Sequence, residues 1–168
     1  MTPESHWIAI FIDRIFSEMR DKLRALPNDV LNRPMPVPDS NTLFAIGTHS
    51  VGMAEFWTLA LVGGQTVARD RPAEFRASGS GVDLAARIER FLPAMHALLD
   101  DLPDARMDEI ITPPPTFSMS GGLRERITVR ESLLHVVEHS ATHLGHVQLT
   151  ADYFGEQEKG EKRLKTKD

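Results

Sequence analysis

The sequence predicts an all-α fold, a bundle of four helices. Three observations point there. Four long segments carry apolar residues at spacings of three and four, the period of a helix with one buried stripe. Capping and stopping residues stand at the ends of these segments, where helices favour them. No pair of alternating segments reads as a strand hairpin. With 168 residues, the chain suits one domain around one core. That domain is expected over residues 1–155, followed by a tail at 156–168.

The first helix is expected from about Pro3 to Leu26. Thr2 can cap it, Pro3 fits the first helical position, and Glu4 suits the positive end of the dipole. Trp7, Ile8, Phe11, Ile12, Ile15, Met19, Leu23 and Leu26 form its apolar stripe, and Pro27 stops it. The proline-rich stretch NDVLNRPMPVPDS that follows has no helical period. A second helix spans about Thr42 to Val62, with Asp39 or Ser40 as its cap and Gly63-Gly64 as its end. It is apolar almost all round, so it should be packed on several sides.

The third helix spans about Val82 to Leu102. Leu84, Ile88, Phe91, Leu92, Met95, Leu98 and Leu99 share one face, and Pro93 is a candidate kink. The fourth starts at Thr128, where Thr128-x-x-Glu131 is a capping box, and reaches about Phe154, with Gly155 as its end. The remainder, EQEKGEKRLKTKD, is charged and poor in apolar residues, the composition of a disordered tail. The connections at 63–81 and 103–127 are long enough to cross the bundle.

Composition removes several function classes. Hydrophobic residues make up 41% and charged residues 26%, an ordinary globular balance. Lys and Arg number 19 against 24 Asp and Glu, a net charge of −5. Such a chain has no general attraction to nucleic acid or an anionic membrane, and neither is an expected partner. There is no cysteine, which excludes disulfides, thiolate ligands and a cysteine nucleophile. The start MTPESHW lacks a signal-peptide layout, and no apolar run approaches the roughly 18 residues of a membrane span. A cytoplasmic location is the expectation.

The chemistry concentrates in HVVEHSATHLGH, which holds four of the seven histidines. At about 100° per residue, His139, His143 and His146 fall roughly 40°, 80° and 20° from His135, so all four share one stripe. The apolar set Leu133, Val136, Val137, Leu144, Val147 and Ala151 places His143 nearest the core, then His139, then His146, with His135 furthest out. Metal sites inside bundles are built from inward-pointing side chains, so His139 and His143, one turn apart, are the better pair. A third ligand must come from elsewhere, and His6, His49 and His96 are the candidates. His49 is favoured because it lies within the apolar second helix, where an unpaired imidazole is costly. His135 and His146 fit neighbouring hydrogen-bond partners better than ligands, and Glu138 is a candidate acceptor for a ligand imidazole. Two known helical motifs are absent. A zincin needs His-Glu-x-x-His, but Ser140 follows His139; a ferritin-like di-iron site needs Glu-x-x-His, which occurs nowhere.

The strings NTLFAIGTHSVGMAEFW and ITVRESLLHVVEHSATHLGHVQL resemble the DinB/YfiT superfamily of four-helix metalloproteins. The shared pattern is one histidine in the second helix, then His-x-x-x-His followed by leucine or arginine and glycine in the last. The resemblance covers roughly residues 3–154. It implies an up-down-down-up bundle with a long crossover, a divalent ion held by His49, His139 and His143, most often zinc or nickel, and a homodimer. Glutamine often follows the glycine in that family, where this chain has His146. Family members with known activities include thiol-dependent S-transferases and a thiol-dependent isomerase.

The leading expectation is therefore a metal-dependent S-transferase or hydrolase acting on a small-molecule substrate. Three neutral imidazoles leave a coordination position open, the layout of a catalytic site. Lacking cysteine, the chain would need a low-molecular-weight thiol as cofactor. Arg69, Arg71 or Arg76, after the second helix, are candidates to grip an anionic substrate. The alternatives are a non-catalytic metal-binding stress-response protein and a helical dimerisation module with incidental histidines.

Overall fold

The computed structural model describes residues 3–113 and 126–165, the side chains of 158 and 160–165 aside. The expected Thr2 cap lies outside these residues, as do the glycine pair and most of the proline triplet of the last connection.

Four long helical stretches build the fold, all of them expected. They are α1 (Pro3–Ala25), α3 (Leu43–Ala54) with the π-helical continuation Glu55–Val62, α5 (Gly81–Asp100) and α6 (Val129–Lys165). Two single-turn helices lie in the connections, α2 (Asn28–Leu31) and α4 (Arg71–Glu74). A 3₁₀ turn at Asp104–Arg106 leads to a two-residue antiparallel pair, β1 (Ile110–Ile111) with β2 (Ile127–Thr128). No described helix is long and apolar enough to cross a membrane.

Contacts fix the relative directions. Glu4 pairs with Arg130, Glu18 with Gln148 and Lys22 with Asp152, so α1 and α6 run parallel. Arg24 bonds Glu89 and Asp13 meets His96, so α5 runs against α1. Ser132 donates to the Trp57 carbonyl while His139 meets His49, so α3 runs against α6. The helices α3 and α5 are therefore parallel, and residues 63–80 must return along α3 to reach the start of α5. On that return, Glu74 lies against Gly52 and Gly79 against Phe44.

The local signals mostly hold. The capping box forms reciprocally: the Thr128 amide donates to Glu131 at 2.8 Å, and the Glu131 amide to the Thr128 hydroxyl at 3.1 Å. Gly63 closes the second helix, and Gly64 follows it at φ 67°. Thr42 caps α3 by accepting from the Ala45 amide, in place of the expected Asp39 or Ser40. Asp39 instead sits in a turn at φ 59°. Gly155 does not end α6. Its φ is not positive, and the helix continues to Lys165 through a stretch read from sequence as disordered. That stretch is rich in Glu and Lys, which favour helix, and Lys159 pairs with Glu156 one turn back.

The core forms where the stripes converge. Ile12, Phe16, Met19, Ile88, Phe91 and Met95 are essentially inaccessible, and the Phe16 and Phe91 rings meet edge to face at 5.2 Å. Two members of the expected α1 stripe face out: Trp7 is 58% exposed and Phe11 39%. Phe16 takes the inward place between Ile12 and Met19.

Candidate metal centre

The centre forms where α3 and α6 cross, with the returning segment laid over them. The period of α6 puts His139 and His143 on the side facing α3, and His49 comes from the buried face of α3. The Nε2 atoms of His49 and His139 lie 3.1 Å apart, as do those of His139 and His143. The three side chains offer ligand atoms all within 4.8 Å of one another.

His49 is held from behind. Its Nδ1 meets Glu74 Oε2 at 2.8 Å, and its ring lies against Phe75 with centroids 4.5 Å apart. The Arg69 guanidinium donates to both Glu74 oxygens, from Nε at 2.7 Å and from Nη2 at 3.1 Å. Both side chains of this pair are buried, 4% and 6% exposed. Burial pushes the Glu74 carboxyl upward, but His49 and Arg69 outweigh it and hold the group below its ordinary value. Burial, then the neighbouring histidines His143 and His49, push His139 down to about 3. The same causes, burial first and then His49 and His146, push His143 down to about 4. Both are neutral at pH 7, the form a ligand imidazole needs.

These residues fit a divalent cation. A neutral His49 that gives its Nδ1 proton to Glu74 presents a bare lone pair at Nε2. A neutral His139 can donate an Nε2 proton to only one of its two neighbours. Protons therefore cannot satisfy all three facing nitrogens, whereas one cation can. Tetrahedral nitrogen ligands at about 2.0–2.1 Å stand roughly 3.3 Å apart, close to the spacing found.

The outer residues differ from the helical-wheel order. His135 was expected furthest out, yet its side chain is only 17% exposed, because Trp57 covers it at a ring distance of 5.2 Å. Burial lowers its pKa, against an upward pull from Glu138. His146 is the exposed one, with its Nδ1 3.4 Å from that of His143. Glu138 is 73% exposed and lies 3.8 Å from His135. Together His135, Glu138 and His139 form a second, more exposed cluster of donor atoms. His96 pairs instead with Asp13 of α1, and it is not among the residues grouped with His49.

Arg69, expected to grip a substrate, is committed to Glu74 and covered by Phe56. Arg71 is exposed, its guanidinium 5.2 Å from the Phe75 ring centre, and Arg76 is exposed as well. Sequence reasoning missed Glu74. Its only local signal is Asp70, which caps α4 and so fixes the turn that aims Glu74 inward.

No curated protein matches the chain. Among solved structures, a DinB-like protein from Bacillus cereus is similar at 17% identity, with a TM-score of 0.64 over 84% of this chain and 86% of that one. A conserved protein from Enterococcus faecalis is similar at 13% identity, with a TM-score of 0.63 over 90% of this chain and 96% of the other. At such identities the likeness establishes the fold alone. A family model described as the DinB superfamily matches residues 12–147, which include all three facing histidines. The chain belongs to the DinB superfamily.

Proposed function

We propose that the chain is a metal-dependent S-transferase or hydrolase in which His49, His139 and His143 hold one divalent ion, zinc or nickel. The observation that carries this reading is the triangle of ring nitrogens, with His49 oriented from behind by a buried carboxylate. Among the described residues this group has three members, so a fourth coordination position stays open. An ion bound there supplies Lewis acidity and lowers the pKa of a coordinated water or thiol.

The chain's own residues do the rest. Glu74 fixes the direction of the His49 lone pair, and Phe75 shields one face of its ring. Trp57 and His135 wall the side beyond His139. Arg71 stands at the rim as a cation to receive the carboxylate of an anionic substrate or thiol. Because no cysteine is present, the thiol of a transfer reaction comes from a small molecule. A homodimer belongs to the proposal, supported by the apolar residues that α1 leaves exposed, Trp7, Ile10 and Phe11.

Elemental analysis of untagged protein, beside His139→Ala and His143→Ala, tests the centre. One metal per chain in the parent, lost in both variants, is the expected result. Thiol-transfer and ester-hydrolysis assays on the loaded protein then separate the two activities. A parent protein that holds no metal, and takes up none from added zinc or nickel, would sink the reading.

A further inference from the structure

We infer that Glu74 is a positioning residue for His49, with Arg69 as its fixed counter-charge, and that this pair sets the metal affinity of the centre. The inference rests on the three-histidine reading above and adds residues that lie outside the ligand set.

Three independent features lead to it. The first is hydrogen-bond chemistry. An ionised carboxylate only accepts, so at 2.8 Å from Glu74 the Nδ1 atom of His49 must carry the proton. In the neutral ring that leaves Nε2 bare, 3.1 Å from Nε2 of His139. The tautomer needed for binding is thus set before any ion arrives.

The second is charge. A lone carboxylate as buried as Glu74 would take up a proton, and a protonated oxygen could donate instead of accept. Two bonds from Arg69 keep it ionised and immobile. The guanidinium also cancels the carboxylate's charge. His49 is therefore oriented without adding net negative charge to the centre, so a bound ion keeps its pull on whatever fills the open position.

The third is space. A Cβ built on Gly52 would come within 2.5 Å of Glu74 Oε1 and 3.2 Å of its Cδ. The carboxylate lies against the α3 backbone through a gap that only glycine leaves. Phe75 packs on the ring of His49 beside this contact, centroids 4.5 Å apart.

The first test needs no variant. Long-range proton–nitrogen NMR of the metal-free protein should show His49 as the neutral Nδ1–H tautomer. A neutral Nε2–H ring at His49 would overturn the inference. The second test measures zinc affinity by chelator competition. Glu74→Gln is expected to weaken zinc binding about 10- to 100-fold and to give a mixed His49 tautomer. Glu74→Asp, which keeps the charge on a shorter arm, should restore part of that loss. Gly52→Ala should weaken zinc in the same direction without touching a ligand. Should Glu74→Gln not fold, the Asp and Gly52 variants carry the test, and unchanged affinity in both would refute it. A parent that binds no zinc but shows the Nδ1–H tautomer would refute the metal reading and leave the positioning of His49 standing.

Discussion

At the level of single residues, the proposed centre sets three facing histidines apart from their neighbours. His143→Ala should abolish stoichiometric metal, whereas His146→Ala should keep the stoichiometry and weaken binding only a few-fold; metal content and zinc titration of both variants check this. Acid should act on the metal-free protein in a definite direction. His139 and His143 titrate in the fold at about 3 and about 4, below their ordinary value of 6.5, because they are buried beside other histidines. The unfolded chain therefore takes up protons first. Stability is complete above pH 6.5 and falls as the pH drops from there toward 4 and 3. Glu74, also depressed, adds a loss at the acid end, below its ordinary 4.5. Thermal melts of metal-free protein between pH 7 and pH 4 should show a falling Tm, and the His139→Ala variant a shallower fall. The meeting of the three histidines was legible in the sequence because each answers to a local rule: two to helical spacing, one to an apolar helix that tolerates no unpaired imidazole. Glu74 answers to no such rule. It reaches His49 across 25 residues of chain, through a connection whose course only the fold decides.

Elements were read from their ends, and the ends show where local chemistry suffices. The Thr128–Glu131 box forms as the motif implies, and Thr128→Ala should cost about 1 kcal/mol. In a chain of this size that lowers Tm by roughly 2–4 °C in a denaturation scan. Gly155 misled because glycine ends a helix only where the chain turns to positive φ, and its neighbours there favour continuation. Trp7 and Phe11 misled for a related reason. Apolar residues on α1 cover more of its circumference than α5 and α6 can bury, and the period alone does not say which edge of a broad stripe stays outside. Gly81 makes the opposite point. Alanine near a helix start normally helps, yet a Cβ there would run into the carbonyl oxygen of Leu23, which belongs to a rigid helix. Gly81→Ala should destabilise the fold by about 1–3 kcal/mol in urea unfolding.

For the whole molecule, the core and the centre are separable. The Phe16–Phe91 contact and the inaccessible residues around it involve no ligand, so a chelated protein should stay helical by circular dichroism. Zinc at a hundred times its dissociation constant should then add about 2.7 kcal/mol, read as a rise in Tm. An unfolded chelated protein would instead make the ion structural. The four long helices were open to sequence reading, since each stripe demands a partner. The antiparallel and parallel pairings do not follow from the stripes themselves; the family resemblance implied them, and contacts between distant residues set them. The sequence separation of the facing histidines orders events during synthesis. His49 and His139 are 90 residues apart, with the carboxylate behind His49 between them in sequence. A nascent chain that has not yet emerged past α5 carries one of the three facing imidazoles and neither of the other two. On the proposed reading, metal capture waits for the last helix, and a loaded ion would report that translation and docking are both finished.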